Sequence, residues 1–578
     1  MSDRHFAHYA HWPPGVPRHL DIPAINLFRN AENAAARYPD KPFVLFYDTP
    51  LTFREFLRQA EAVAGYLQSD CGVRAGDRVL LYMQNSPQWV LAYYGILRAN
   101  AVVVPINPMT VRLELQHYLA DSGAVAAFVS QELLPQLQPL LRAGDGTGAQ
   151  LQHAIVATYS DYLLQPTDLR VPDFVSAPRQ RLEGAGLHAW ADVLAAARAP
   201  GPLTAGPDDL CVMPYTSGTT GQPKGCMHTH RSVMATTVGG VVWFDSPADG
   251  VSLSVLPFFH VTGMIGGMNA PLYLGSTIVL LPRWDRDAAA ACVQRYRAQA
   301  WQAITTMVVD FLANPRLGEY DVSSLNGVRG GGAAMPEAVY QKLKTLTGVD
   351  YVEGYGMTET IAATHINPPQ RPKKQCLGIP VFDVDARIID LDSLQELGPG
   401  QTGEIVVHGP QVMQGYWRNP EATRAAFIEI GGKRFLRTGD LGRIDEDGYF
   451  FMTDRLKRMI NAAGYKVWPA EVEAALYHHP AVLEACVIAA RDEHRGETVK
   501  ALIVLRPGQE GRVQEQDIRD WARERMATYK IPRIIEFVAS LPKSGTGKLL
   551  WRQMQEREFR DHGGDGGDGA QRVQGAAR

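Results

Sequence analysis

The sequence predicts an α/β protein, with a large N-terminal domain of layered α/β subdomains plus a β-rich subdomain and a small C-terminal α+β domain. Three observations predict it. From residue 25 onward, short apolar runs such as RVLLYM (78–83) and AVVVP (101–105) alternate with amphipathic segments, the rhythm of helices packed on a largely parallel sheet. Over 378–408 the periodicity falls to two, in VDARIID and GEIVVHG separated by LGPGQTG, which indicates short strands and a turn. Beyond residue 454 the helical PAEVEAALYHHPAV is followed by ACVIAARD, KALIVL and IIEFV, a module of about a hundred residues and so of ordinary domain size.

Taken in order, the pattern gives a helix at 31–38, a strand pair in KPFVLFYDTPLTF, an amphipathic helix at 54–69, the strand at 78–83, a helix at 87–99 and the strand at 101–105. A helix at 110–122 feeds the strand AVAAFV. Residues 144–207 lose periodicity and gain Gly, Pro and Gln, which reads as a surface-exposed insertion. A helix at 230–241, a strand at 252–256, the buried strand STIVLLP, a helix at 286–299, the strand AITTM and a helix at 308–313 resume the α/β rhythm. The last residues, DHGGDGGDGAQRVQGAAR, have almost nothing to bury and read as a disordered tail.

Composition narrows the function. With 578 residues and 46% hydrophobic content the chain buries more than one core, and its length suggests about three or four domain-sized units. A net charge of -4 and a pI near 6.5 leave no global basic field and argue against nucleic acid as a partner. The six cysteines include no C-x-x-C pair, which argues against a zinc site or disulfide framework and for a reducing compartment. The N-terminus carries charge, histidine and proline where a signal peptide needs an apolar core, so a cytoplasmic protein is expected. Residues 251–282 contain no Asp, Glu, Lys or Arg and are long enough to span a bilayer, but prolines and glycines interrupt them; a buried helix, turn and strand is the better reading.

The stretch with most chemistry is PYTSGTTGQPKG (214–225). It gathers the hydroxyls of Thr216, Ser217, Thr219 and Thr220, the glycines Gly218, Gly221 and Gly225, and Lys224, the parts of a phosphate cradle. It is not a Walker loop, because Pro223 stands where that template needs glycine. SGTGK around Lys548 fails the same template, with Pro542 for the first glycine and Leu549 for the final hydroxyl. Five further motifs share the chain: LPFFHVTG with His260, VRGGGAAMP, YVEGYGMTET with Tyr355, Gly356, Thr358 and Glu359, RTGD with Asp440, and DRLKRMINAAGYKVWPAEVE. A glycine turn suits close approach of a flat base, Tyr355 can stack on it, and Glu359 is a hard oxygen ligand fit for magnesium. His228 with His230, and His478 with His479, lack further ligands at metal spacing and read as structural or surface residues.

In order and spacing these motifs resemble the signature of the adenylate-forming superfamily: acyl-CoA synthetases, firefly-type luciferases and the adenylation domains of peptide synthetases. The resemblance covers residues 25–560. It implies an AMP-binding adenylation domain at 1–454, a mobile C-terminal domain at 455–560 and a tail at 561–578. It also implies ATP, Mg2+ and coenzyme A as the small molecules bound. By the same resemblance Ser217, Gly218 and their neighbours hold the β- and γ-phosphates, and Gly332, Ala333, Ala334 and Tyr355 the adenine. Asp440 and Arg455 take the ribose, Thr358 the α-phosphate and Glu359 the metal. Lys548 bridges carboxylate and α-phosphate, Lys457 is the hinge, Gly464 lines the pantetheine path, and Lys466 is a further cofactor-binding residue.

Within the superfamily, the FFHVTG string lacks the aspartate that holds an amino group in peptide synthetases, and an ammonium buried without a partner is costly. The small or apolar residues after His260, including Gly263 and Met264, suggest an oily pocket with room made by glycine. The expected substrate is a medium- or long-chain fatty or alicyclic carboxylate. An aryl acid, an acyl-AMP ligase loading a carrier protein, a luciferase-like oxygenase and a non-catalytic nucleotide binder stand as alternatives, and a homodimer is left open.

Overall fold

The computed structural model describes residues 3–141, 151–216, 223–331, 335–455, 458–462, 465–492, 496–543 and 549–561. Its two main sheets follow from the apolar runs. The first has seven strands in the order His228–Thr229, Leu210–Val212, Val102–Pro105, Arg78–Tyr82, Ala126–Ser130, His153–Ala157, Leu187–Ala189. All neighbours are parallel except the first pair. The central strands are buried along their length, which is why they read as continuous Val, Leu and Ala runs and not as alternating ones.

The second sheet has nine strands, and its parallel centre runs from Tyr351–Met357 through Gly327–Gly331, Ala300–Gln302, Val251–Ser254 and Thr277–Leu280 to Pro42–Phe46. Antiparallel hairpins close both edges, Ala362–Ile366 with Ile379–Pro380 at one and Thr49–Thr52 at the other. Between the sheets lies the helix Pro87–Arg98, started by Ser86, whose hydroxyl accepts from the Trp89 N–H, and by Pro87 in the first turn. It is apolar all round and Trp89 to Leu97 are fully buried but for small traces, so one continuous core joins both sheets. The amphipathic helix Phe53–Ser69 begins in a Thr52/Glu55 capping box and packs against it.

One expectation is overturned here. Residues 144–207 are not a surface insertion: His153–Ala157 and Leu187–Ala189 extend the first sheet, and Trp190, Val175 and Val193 are buried in the main core. Their strands are three to five residues long and flanked by turn formers, too short to show a period. Residues 142–150 lie outside the described residues.

The β-rich part is a five-stranded antiparallel sheet of Asp385–Ile389, Gly403–His408, Lys433–Ile444, Phe427–Ile430 and Phe450–Arg455. A further five-stranded sheet, centred on Val482–Asp492 and Gly496–Leu505, carries the helices Pro469–Leu476, Glu515–Arg523 and Trp551–Asp561 and has its own core. The glycine-rich tail beyond Asp561 lies outside the described residues. Among the described residues no helix is long and apolar enough to cross a membrane. The uncharged stretch 251–282 becomes a strand, a broken helix and a strand, as its prolines and glycines imply.

Candidate active site

The two ends of the PYTSGTTGQPKG stretch pair as a hairpin. Tyr215–Thr216 pairs antiparallel with Lys224–Gly225, Thr216 opposite Lys224, and the segment between, with Ser217, Gly218, Thr219 and Thr220, lies outside the described residues. Neighbours clamp the hairpin base. The Tyr215 hydroxyl donates to Asp121 at 2.5 Å, His117 Nε2 donates to the Pro223 carbonyl at 2.9 Å, and the Trp417 N–H donates to the Gly225 carbonyl at 2.8 Å. The Lys224 ammonium stands 5.0 Å from the centre of the Tyr416 ring.

Tyr416 leads to the carboxylate. Its hydroxyl donates to Glu359 Oε1 at 2.9 Å, and burial together with the Glu359 charge holds the phenol far above its usual pKa, so it stays a donor. Glu359 is 6% exposed and sits in the single turn Thr358–Thr360 that ends the strand Tyr351–Met357. Three hydrogen bonds fix this turn. The Met413 N–H donates to the Glu359 carbonyl at 2.8 Å, Thr360 Oγ1 accepts from the Met357 N–H at 3.0 Å, and His228 Nε2 donates to the Thr358 carbonyl at 2.8 Å. Burial pushes the His228 pKa down to about 4, so a neutral imidazole carries that bond. Directly after the turn Ile361 (φ 41°) and Ala362 (φ 91°) occupy the left-handed region, conformations that cost about 1–3 kcal/mol each and persist where a site over-determines them.

Tyr355, the inward residue before this turn, donates its hydroxyl to Asp440 Oδ2 at 2.7 Å. Asp440 is 3% exposed, on the strand Lys433–Ile444, opposite the backbone of Arg455. A Cβ at Gly356 would stand 1.7 Å from the Ala362 carbonyl oxygen, so only glycine fits in that hairpin. Gly332, Ala333 and Ala334 lie outside the described residues, but their frame is visible. Glu353, itself buried, accepts the N–H groups of Met335 (2.7 Å) and Cys376 (3.1 Å), while desolvation still raises its pKa. Glu353 was not singled out in the sequence; its signal was an acid at an inward position between apolar residues in YVEGYG.

Beside Tyr355 and Gly356 opens a cavity of about 700 Å³, within the size range of ligand sites. One wall is a helix that runs Val261–Met264, Ile265–Asn269 and Ala270–Leu274, with the middle section wound as a π-turn. Thr262, Gly266, Ala270 and Leu274 line the cavity from its face, and His260 does so from its N-cap. The helix His230–Trp243, through Ala235, Gly239 and Gly240, and the stacked indoles of Trp284 and Trp301 also line it. Among the described lining residues none is acidic. Asp310, the one charge in MVVDFL, turns away to accept from Trp284 Nε1 at 2.8 Å and from Arg286.

Two substrate expectations change. Met264 is fully buried in the core and does not line the cavity. Gly263 lines it, but its missing side chain serves packing: a Cβ there would stand 2.3 Å from the Pro257 carbonyl oxygen. The backbone thus brings Thr216, Lys224, Tyr355, Gly356, Thr358, Glu359, Asp440 and His260 to well-defined places. Lys457, Gly464 and Lys548 lie outside the described residues, as do the side chains of Arg455 and Lys466. Tyr416 and His228 join the site without a motif of their own.

A family profile described as AMP-binding enzyme matches residues 31–417, and one described as AMP-binding enzyme C-terminal domain matches 471–548. The chain is 36% identical to the long-chain-fatty-acid–CoA ligase of Bacillus subtilis (strain 168) over 564 residues, 96% of this chain and 98% of that one. It is 34% identical to a feruloyl-CoA synthase of an Amycolatopsis species, over 88% of this chain and 94% of that one. The ATP-bound crystal structure of MatB from Rhodopseudomonas palustris superposes with a TM-score of 0.81 at 26% identity, over 93% of this chain and 99% of that one. With both profiles matched in order and relatives aligned along nearly the whole length, the chain belongs to the AMP-binding enzymes, as an adenylate-forming acyl-CoA synthetase.

Proposed function

We propose that the protein activates an apolar carboxylic acid, a medium- or long-chain fatty or alicyclic acid, with MgATP and transfers the acyl group to coenzyme A. The observation that carries this reading is the union of a polar turn, Thr358 and Glu359, with a largely apolar cavity, free of acidic groups among its described lining residues, at its side. A substrate carboxylate entering from the cavity meets the nucleotide end at Tyr355 and Gly356. Its oxygen attacks the α-phosphorus and pyrophosphate leaves toward the Thr216/Lys224 hairpin. Positioning and charge neutralisation carry most of that step. The thiolate of coenzyme A then attacks the acyl carbonyl and expels AMP, with no side-chain nucleophile needed.

Glu359 fits Mg2+ by its chemistry: a hard carboxylate oxygen, immobilised by Tyr416 and the turn, beside the hairpin expected to hold phosphate. When bound, the metal would neutralise phosphate charge there. Lys548 is assigned to the carboxylate and α-phosphate, Lys457 to the hinge of a domain at 455–560, and Gly464 to the thiol path. Thus one small domain serves both half-reactions in turn. Six buried thiols with no disulfide among the described residues agree with a reducing cytoplasm.

The test is a carboxylate panel, short to long aliphatic chains plus cyclic and aryl acids, scored for AMP release with and without coenzyme A. Coenzyme A-dependent turnover on apolar aliphatic acids is expected. Adenylation without turnover on free coenzyme A would assign an acyl-AMP ligase instead. A preference for aryl acids is the second reading, favoured by the flat Trp284–Trp301 wall and by the likeness to the feruloyl-CoA synthase.

A further inference from the structure

The cavity has two cations among its described lining residues, and one of them, Arg283, lies with its guanidinium carbon 4.5 Å from the centre of the Phe174 ring. The other, Arg329, stands in the middle of the strand Gly327–Gly331, and its guanidinium carbon lies 3.7 Å from the centre of the Phe244 ring. A Cβ on Gly327 would stand 3.1 Å from Arg329 Nη2 and 3.3 Å from Nε, so the side chain folds back along its own strand over that glycine, away from Gly331. Among the described residues the guanidinium has no ion pair and no hydrogen-bond acceptor. The fold treats other partly buried arginines differently: Arg387 pairs with Asp385, Arg437 with Glu404 and Arg458 with Glu473. Burial without a partner lowers the Arg329 pKa to about 10, which still leaves it a cation at neutral pH. A buried charge with nothing opposite it is costly, and here the open side is the cavity.

The polar groups at this end agree with an anion. Ser246, two residues after Phe244, Asn326, one residue before Gly327, and Gln299, whose carbonyl accepts the N–H groups of residues 326 and 327, all line the same region. The strand sets the distance. Four residue steps lead from Gly327 to Gly331 at the nucleotide end, roughly 13 Å at the rise of a parallel strand. An extended chain of about eight to twelve carbons covers that span at ordinary C–C bond lengths.

We propose that Arg329 is a specificity-determining anion subsite for the far end of the acyl chain, so that among aliphatic acids of matching length the α,ω-dicarboxylate is preferred. One carboxylate goes to the α-phosphorus and the other pairs with the guanidinium, while Phe244 holds the planar group in place. A bidentate carboxylate supplies the acceptors the guanidinium lacks. The subsite refines the ligase reading above and rests on it.

The experiment measures pyrophosphate release by the full-length enzyme with sebacate, its monomethyl ester and decanoate, in the wild type and in Arg329→Met. The monoester keeps the length and removes only the distal charge. In the wild type, kcat/KM for sebacate should exceed that for the monoester by about tenfold or more, chiefly through KM. In Arg329→Met the sebacate-to-monoester ratio should fall by at least about tenfold. A purely structural role would depress all three acids alike and leave the ratio in place. Equal use of sebacate and monoester by the wild type overturns the subsite even if the variant fails to fold, and so does an unchanged ratio in a folded variant. Release from none of the three acids overturns this inference, and the ligase reading falls with it only if the aryl and cyclic acids of the panel above also give no release.

Discussion

The two halves of the site are built in opposite ways. On the nucleotide side, Lys224, Thr358, Glu359, Tyr355 and Asp440 stand within short motifs, and hydrogen bonds from Tyr416, His228 and Met413 tie them down. On the acid side, about 700 Å³ of cavity is walled by single residues from a helix at 230–243, a π-wound helix at 261–274 and strands far apart in the chain. The first half must present fixed charge to phosphate, which few residue types can do. The second must be apolar and the right shape, which many can. In the function proposed, chemistry resides on one side and choice of acid on the other.

The largest effect that could break this division comes from Lys548. Lys548→Ala should lower pyrophosphate release by about three orders of magnitude, since a cation about 4 Å from developing charge is worth roughly 4 kcal/mol at an effective dielectric near 20. Thioester formation from supplied acyl-adenylate should survive. Gly464→Leu should give the reverse pattern, and parallel loss of both half-reactions in either variant would show that they are not separately served. Next in size, Glu359→Gln should cost about two orders of magnitude in kcat and raise the Mg2+ concentration needed for half-maximal rate. Tyr416→Phe removes one hydrogen bond to a carboxylate and should cost about tenfold. If Glu359→Gln left the magnesium dependence unmoved, the metal would lie elsewhere.

A smaller effect concerns the scaffold under the turn. Burial depresses the pKa of His8, His228 and His230 to about 4 and of His365 to about 3. Unfolded histidine titrates near 6.5, so between that pH and about 4 the unfolded chain binds protons that the fold refuses. Their stability contribution is thus complete above about pH 6.5 and is lost as pH falls toward 4. The thermal midpoint should drop steeply from pH 7 to pH 4.5. His228→Asn should flatten that slope by about one proton, or about 1.4 kcal/mol per pH unit. An equally steep slope in the variant would mean His228 is already charged in the native state.

The same contrast explains what could be read in the sequence. Glu359 and Tyr355 were legible because a carboxylate and a phenol stand together in one short motif, YVEGYGMTET, and Asp440 because it stands in another, RTGD. Tyr416 and His228 were not, because their partners at Glu359 and Thr358 lie 57 and 130 residues away. Glycines misled in a consistent way. Those after His260 read as room for substrate, yet Gly263 is bare because the 256–257 backbone crosses it, and Gly266 because the Gln302 amide does. The α/β layering was legible in its long apolar strands, whereas the short ones at His153–Ala157 and Leu187–Ala189 passed for an insertion. Arg329 sat in plain view in VRGGGAAMP, but nothing local says that an arginine has no partner.

The division of labour is tested most directly at Gly240. It lines the cavity from the helix His230–Trp243, and a Cβ there meets nothing within 4 Å, so Gly240→Phe can project into the acid's space without touching the nucleotide side. The measurement is the distribution of acyl-CoA products, by mass spectrometry, from an equimolar series of aliphatic acids, alongside KM for ATP. The account predicts that the distribution moves to shorter chains, with long acids falling about tenfold or more, while KM for ATP stays in place. An unchanged distribution, or a KM for ATP that moves with it, would contradict the claim that the cavity chooses the acid and the motifs do the chemistry.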